Sequence, residues 1–342
     1  MKILLNTTFL LSLLILTFGC NNNPIGPIDA QPGSRDYQWT VDTIKIYSND
    51  ILSIWGSNPE DIWGVGPGGS LSTTIWHYDG NHWNTDDIFR NIAPECIFGF
   101  ARNNVWIAGQ NGKIWYYDGN NWRQNYQHTI NGFTGITFYD LYGINNNDLY
   151  AVGTVWFNNK TRRGIIIHYD GNNWKQEYLA NFNSYFAKVR VSYDGRCFIH
   201  CVKQDVQNNS NDTTVFYEFD GQKLIKIYDD QNNSIKGGWM TVISGNIVFS
   251  LYDGIYKYID NAFLSIAKYN SQRFPGAIFG RHDQDIFIGS ADGITHYNGT
   301  DIQLLVHTEG WINDGQIFEN DVVFLDSEFG RGDFIYRGKL NN

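Results

Sequence analysis

One motif recurs along this chain, and its period limits what the chain can fold into. Its first copy reads IWGSNPEDIWGVG, a short insert, then IWHYDGNHW, from Ile54 to Trp83. The second runs from Ile97 to Trp122 as IFGFARNNVWIAGQNGKIWYYDGNNW. The third reads LYGINNNDLYAVG, an insert, then IIIHYDGNNW, ending at Trp174. Looser copies follow: VFYEFDGQKL, NIVFSLYDGIYKYIDNAF, IFGRHDQDIFIGSADGITHYNGTDI and DVVFLDSEFGRGDFIYRGKL. Turn positions at Asp79, Asp118, Asp170, Asp220, Asp260, Asn298 and Arg337 mark seven units spaced 38 to 52 residues apart. A period near 40 to 50 with about four strand-like runs per unit predicts a β-propeller.

Composition agrees with this reading. Aromatics make up 16% of the 342 residues, and there are 35 Gly. Aromatic and β-branched residues suit a pleated surface, whereas Gly and Asn suit tight turns. Downstream of the N-terminus no stretch carries the 3.6-residue apolar period of a long helix. The expected fold is therefore all-β: a seven-bladed propeller of four-stranded antiparallel blades spanning 37–342.

In the first unit, strand A is read as Ile51 to Trp55, B as Ile62 to Val65, C as Thr74 to Tyr78, and D as starting near His82. Asp-Gly between apolar runs reads as a two-residue hairpin with positive φ at both central residues. The last unit has strands A, B and C before the chain ends. The segment YQWTVDTI, Tyr37 to Ile44, precedes the first complete unit and carries a D-like Trp39. It is expected to close the ring beside Phe334 to Tyr336, removing edges that would otherwise pair with other chains.

The N-terminus reads as an address. Met1 and Lys2 precede an apolar run from Ile3 to Phe18, followed at once by polar residues. This predicts a secretory signal peptide over 1–19. A Gly directly before Cys20 resembles a bacterial lipobox, although Thr17 stands where that motif usually has Leu. The resemblance implies lipidation of Cys20, a flexible tether over 20–36, and a lipid-anchored place in the cell envelope, at the outer membrane or cell surface. The rival is ordinary cleavage nearby, with Cys20 a plain thiol. Cys96, Cys197 and Cys201 are odd in number and do not read as a disulfide framework. Cys197 and Cys201 share one face of a strand about 13 Å apart, too far to bridge. They are expected to be buried structural thiols.

The units resemble bacterial secreted propeller repeats with N-D-hydrophobic-W-x-V-G followed by hydrophobic-x-H-Y-D-G-x-x-W. They are more distantly similar to two-component-regulator and photosystem-assembly-factor propellers. The resemblance covers nearly all of the mature chain, most closely in the first three units. It implies a fold and little activity.

Residues that recur in every unit are expected to be structural. Trp83, Trp122 and Trp174 open strand D, Trp63, Trp106 and Tyr150 lie on strand B, and all should pack between blades. Recurrence of His77, His168 and His296 two residues before the turn also suggests packing. In an up-and-down blade the A–B and C–D turns share one face, here short and uniform. The B–C and D–A connections share the other, and here they are long and dissimilar. Variable loops on a rigid scaffold usually carry binding. The candidate ligand-binding residues are accordingly Trp156, Lys160, Arg162, Arg163, Trp239, His307 and Trp311. Trp156 with Arg162 and Arg163 has the chemistry to stack on and clamp an acidic or sugar ligand.

The net charge of −10 argues against a nucleic-acid groove and against adsorption to anionic lipid. No Walker A loop, G-x-S-x-G elbow, H-E-x-x-H or paired C-x-x-C is present, and no cofactor or metal is expected. The expected role is a monomeric, non-enzymatic binding or scaffolding module for protein or glycan. The alternative is a carbohydrate-active hydrolase or lyase at the channel mouth, by analogy alone.

Overall fold

The computed structural model describes residues 33–44, 51–133, 135–157, 161–205, 207, 211–231, 237–269, 276–328 and 332–341. Among these there is no α-helix. The signal segment, Cys20 and Lys160 lie outside the described residues.

The strands form seven four-stranded sheets, each one blade. Blade 1 follows β1 (Tyr37–Ile44) and holds β2 (Ser53–Asn58), β3 (Asp61–Val65), β4 (Ile75–Tyr78) and β5 (Trp83–Asn84). Blade 2 holds β6 (Pro94–Ala101), β7 (Asn104–Gly109), β8 (Lys113–Tyr117) and β9 (Trp122–Gln127). Blade 3 holds β10 (Gly135–Asn145), β11 (Asp148–Trp156), β12 (Arg162–Tyr169) and β13 (Trp174–Leu179). Blade 4 holds β14 (Ser184–Val191), β15 (Cys197–Lys203), β16 (Thr213–Phe219) and β17 (Leu224–Asp229). Blade 5 holds β18 (Trp239–Ile243), β19 (Asn246–Leu251), β20 (Gly254–Ile259) and β21 (Ala262–Lys268). Blade 6 holds β22 (Ile278–His282), β23 (Asp285–Ser290), β24 (Gly293–Tyr297) and β25 (Ile302–His307). Blade 7 holds β26 (Trp311–Ile317), β27 (Asp321–Glu328) and β28 (Gly332–Leu340), and takes β1 as its outer strand.

The protein is thus a seven-bladed β-propeller closed by its N-terminal strand. β1 pairs antiparallel with β28, Thr43 opposite Phe334 and Val41 opposite Tyr336. Just before it, Arg35 fastens the chain to blade 6 through Asp301, at 2.8 Å, and the His296 carbonyl, at 3.0 Å.

The core is a ring of seams, each a cluster of buried side chains shared by two adjacent blades. Alternation along a strand decides which seam a residue joins. On blade 3, Ala151, Ile165 and Ile167 face blade 2, whereas Val152 and Ile166 face blade 4. On blade 7, Val322 and Phe324 face blade 6, and Val323 and Leu325 face blade 1. Strands buried on both faces read as continuous apolar runs, which is why VVFL and NIVFSL lack alternation. Close packing also limits side-chain size: a Cβ on Gly99 would lie 2.7 Å from the Trp55 ring.

Two expectations need correction. The Asp-Gly turns do not place both central residues at positive φ. Gly80, Gly119, Gly171, Gly221 and Gly299 have φ between 92° and 95°, but the preceding Asp or Asn does not have positive φ. That side chain instead accepts the N–H groups two and three residues on; Asp79, for example, takes Asn81 and His82, each at 2.9 Å. These bonds hold the Asp79 carboxyl below the usual carboxylate range. Among the turn positions that mark the repeat, positive φ at two consecutive residues occurs at Asp260–Asn261, with φ 50° and 62°. Second, Arg337 is not a turn residue. It lies inside β28 between Thr40 and Val323, because the outer strand of blade 7 comes from the other end of the chain and no C–D turn is needed. In blade 1, strand A runs to Asn58 and D is only two residues long.

Cys96, Cys197 and Cys201 are free and buried. Burial raises all three thiols, Cys201 to about 12, so they stay protonated and poorly nucleophilic.

Candidate functional site

The B–C and D–A connections gather on one face, as the strand order requires. There Trp156 ends β11 and Arg162 opens β12, directly opposite each other. The Arg162 guanidinium carbon lies 4.9 Å from the Trp156 ring centroid and 4.2 Å from that of Tyr185. Its Nε donates to Gln204 Oε1 at 2.5 Å, and a terminal nitrogen reaches the Tyr139 hydroxyl at 3.4 Å. The backbone is fixed as well: Asn183 Oδ1 accepts the Arg162 N–H at 2.9 Å, and Asn183 Nδ2 donates to the Gln204 carbonyl at 3.1 Å. Burial raises the Tyr139 and Tyr185 hydroxyl pKa values, with the Arg162 charge pulling the other way. The result is a guanidinium held between two rings, suited to an anionic group.

The other sequence candidates are spread over the ring. Arg163 points to the opposite side of β12, 5.8 Å from the Phe157 ring. Trp239 opens β18 on blade 5 and carries the Lys188 ammonium 4.3 Å above its ring. His307 ends the outer strand of blade 6; its Nδ1 lies 2.8 Å from the Asp292 carbonyl. Trp311 opens β26 on blade 7 and is 61% exposed. The structure therefore joins Trp156 with Arg162 and separates the rest.

Sequence reading missed the polar lining of the channel. Residues from all seven inner strands surround a cavity of about 210 Å³. Asp140 accepts the Val189 N–H at 2.8 Å and pairs with Arg190 at 2.6 Å. Asp314 accepts the Ile54 N–H at 3.0 Å and the Ser53 hydroxyl at 2.7 Å. Each carboxylate sits just past an irregularity in its inner strand and ties one blade to the next. Blade 4 has Lys188 at the corresponding place. Burial lowers its pKa, opposed mainly by the charge of Asp140. The signal for these residues was present, since TFYDLYGI, YFAKVRV and WINDGQI each set a charge inside an inner strand.

The recurring histidines are architectural. His77, His168 and His296 each meet, at 2.7 Å, the Asp that opens strand B: Asp61, Asp148 and Asp285. Each imidazole lies against the strand-B ring of its own blade, 4.0 Å from Trp63, 4.3 Å from Tyr150 and 4.5 Å from Phe287. His200, on the far side of β15 from Cys197 and Cys201, is buried against Phe216 at 4.9 Å. Burial lowers its pKa to about 3. Among the described residues no group of three or more His, Cys, Asp or Glu could hold a metal ion.

Blade 7 buries several acids near Trp311. Asp326 is fully buried, and burial pushes its carboxyl up to about 6, helped by Glu328, Asp333 and Glu309 against the Gly310 N–H. An acid whose folded pKa exceeds its unfolded value, about 3.9, is penalised above that window. Stability contributed by this group should therefore rise as pH falls from 7 toward 4. Asp326→Asn should raise the melting temperature at pH 7 by about 3 °C, for a penalty of about 2 kcal/mol in a propeller of this size. It should also flatten the rise on acidification. Unchanged melting curves at pH 5 and 7 would show that Asp326 titrates normally.

No family model matches the chain, and no curated protein matches it. Solved structures do. YCF48 bound to D1 peptide aligns at TM-score 0.63 and 15% identity, covering 92% of this chain and 99% of that one. A catalytically inactive virginiamycin B lyase from Staphylococcus aureus, with quinupristin, aligns at TM-score 0.62 and 12% identity, covering 89% and 100%. The extracellular domain of a putative one-component system from B. thetaiotaomicron aligns at TM-score 0.61 and 10% identity, covering 87% of this chain and 40% of that one. At these identities the likeness is one of fold.

Proposed function

We propose that this chain is a non-enzymatic binding propeller of the cell envelope, and that it takes an acidic segment of a protein partner on the B–C/D–A face. The observation that carries this reading is the Arg162 guanidinium, held between Trp156 and Tyr185 and positioned by Gln204. A pre-oriented, half-desolvated guanidinium binds carboxylates with little ordering cost. The channel carboxylates already accept backbone and side-chain hydrogen bonds, as structural clamps do. Similar propellers with peptide or protein roles, such as YCF48 bound to D1 peptide, support a protein ligand. The apolar N-terminal segment ending at Cys20 supports export and lipid anchoring, with the propeller as the exposed domain.

Selection of a random displayed peptide library on the whole purified protein tests the reading. Enriched peptides should carry Asp, Glu or a free C-terminal carboxylate. Arg162→Ala should weaken the best of them by about 30-fold, the size of a hot-spot truncation, with the fold intact by circular dichroism. Enrichment of peptides lacking acids, or equal affinity for Arg162→Ala, would overturn the proposal.

A further inference from the structure

The seams between blades 1 and 2 and between blades 2 and 3 share most of their ring positions, though Trp115 stands where the second has Ile167, and they differ in how the indole N–H groups are matched. At the second, Trp106 Nε1 donates to Asn104 Oδ1 at 2.8 Å, and Trp174 Nε1 to Asn125 Oδ1 at 2.9 Å. The matching rings at the first seam are Trp63 and Trp122. The matching acceptors are Asp61, two residues before Trp63, and Asp86, three residues after Trp83 as Asn125 is after Trp122. Both acceptors are engaged elsewhere. Asp61 takes His77 at 2.7 Å and Ser57 at 2.5 Å, while Asp86 forms a two-point ion pair with Arg90. The indole N–H groups of Trp63 and Trp122, and of neighbouring Trp115, are buried without an acceptor among the described residues. An unmatched buried donor costs about 1–3 kcal/mol, and three share this seam.

A cavity of about 400 Å³ opens on these rings. Trp63, Trp115, Tyr117 and Trp122 form its walls, with the side chains of Asn120 and Asn121 at the uniform-turn end. At the other end lie Ile88 and Phe89, 54% and 68% exposed. Asp86 and Arg90 cancel each other's charge at the rim. Trp76 and Trp83, at the seam between blades 7 and 1, also lack acceptors, but they do not line the cavity found at that seam.

We infer that the cleft between blades 1 and 2 binds a neutral sugar ring of an oligosaccharide. A pyranose offers a C–H face to stack on indoles and, at its edge, oxygens that accept N–H bonds and hydroxyls that bond carboxamides. An apolar side chain would leave the donors unmatched. A charged group would meet no free counter-charge. Because the indole nitrogens are covered in this structure, seating the ring requires the 86–90 segment, with its outward Ile88 and Phe89, to shift. This site is separate from Arg162 and does not rest on it.

Tryptophan fluorescence and calorimetric titration of the whole purified protein with cellotetraose, chitotetraose, maltotetraose and xylotetraose test the assignment. At least one should bind with a Kd on the order of 1 mM and change the emission spectrum. Trp115→Ala should weaken it by about tenfold or more, and Trp115→Phe, which keeps a ring but no donor, by a few-fold. Asp86→Asn, which places an amide like Asn125 beside Trp122, should also weaken binding, with the fold intact by circular dichroism. Arg162→Ala should bind sugar like the unmodified protein. No binding up to about 20 mM, or wild-type affinity in both Trp115 variants, overturns the inference and leaves the orphan donors to water.

Discussion

Deleting Tyr37–Ile44 is expected to abolish the cooperative fold. The segment supplies an eight-residue antiparallel ladder to β28. It also buries Tyr37 in the seam between blades 6 and 7 and Ile44 in the seam between blades 7 and 1. Burying each such side chain is worth about 1.5–3 kcal/mol. Arg281 adds a bond to the Tyr37 hydroxyl at 3.1 Å. Together these approach the whole net stability of a typical domain, about 5–15 kcal/mol. The loss also strands β28 as an open edge beside an unclosed ring, which invites pairing with other chains. Circular dichroism should show no sharp melting transition, or one lowered by at least about 15 °C. Adding the peptide YQWTVDTI in trans should restore part of it. A deletion variant that melts like the full chain would show that the ring does not depend on this closure.

The second large effect is expected at Asp285. This carboxylate, 4% exposed, meets His296 at 2.7 Å on one oxygen and Arg281 at 2.7 Å on the other. Burial pushes its pKa up, but those two partners prevail and hold it below the usual range. Arg281 in turn donates to the Phe318 carbonyl at 2.7 Å on blade 7. Asp285→Ala therefore leaves a fully buried imidazole and a mostly buried guanidinium without their acceptor. Removing one member of a buried pair typically costs 3–5 kcal/mol. The equivalent change Asp148→Ala meets a His168 that is 23% exposed and an Asp that is 30% exposed. Water replaces the lost bond there, so the cost should be about 1 kcal/mol. Denaturant melts of the two variants should separate them by at least about 2 kcal/mol. Equal losses would mean that the repeated His–Asp pair works independently of burial.

Several features were legible because they are local or periodic. The repeat period, the Gly at five of the uniform turns and the D-like YQWTVDTI depend on residues near one another in sequence, and each repeat reports much the same geometry again. The turn residue of blade 7 failed for an informative reason. Arg337 occupies the repeat position of a turn, yet its neighbour strand arrives from Tyr37–Ile44, so the repeat continues in sequence where the chain does not turn.

The amino-acid sequence by itself determined the fold class, the number of blades and the strand that closes them, because alternation and turn chemistry are read within a few residues. Only the tertiary structure decided where chemistry gathers. Arg162 meets Tyr185, Asp140 meets Val189, and Trp63 meets Trp122 across seams between blades. Those pairings depend on how blades pack side by side, which no short-range pattern encodes. A local pair four residues apart, by contrast, diverted Asp86 to Arg90 and left Trp122 without the acceptor that its counterpart Trp174 finds in Asn125.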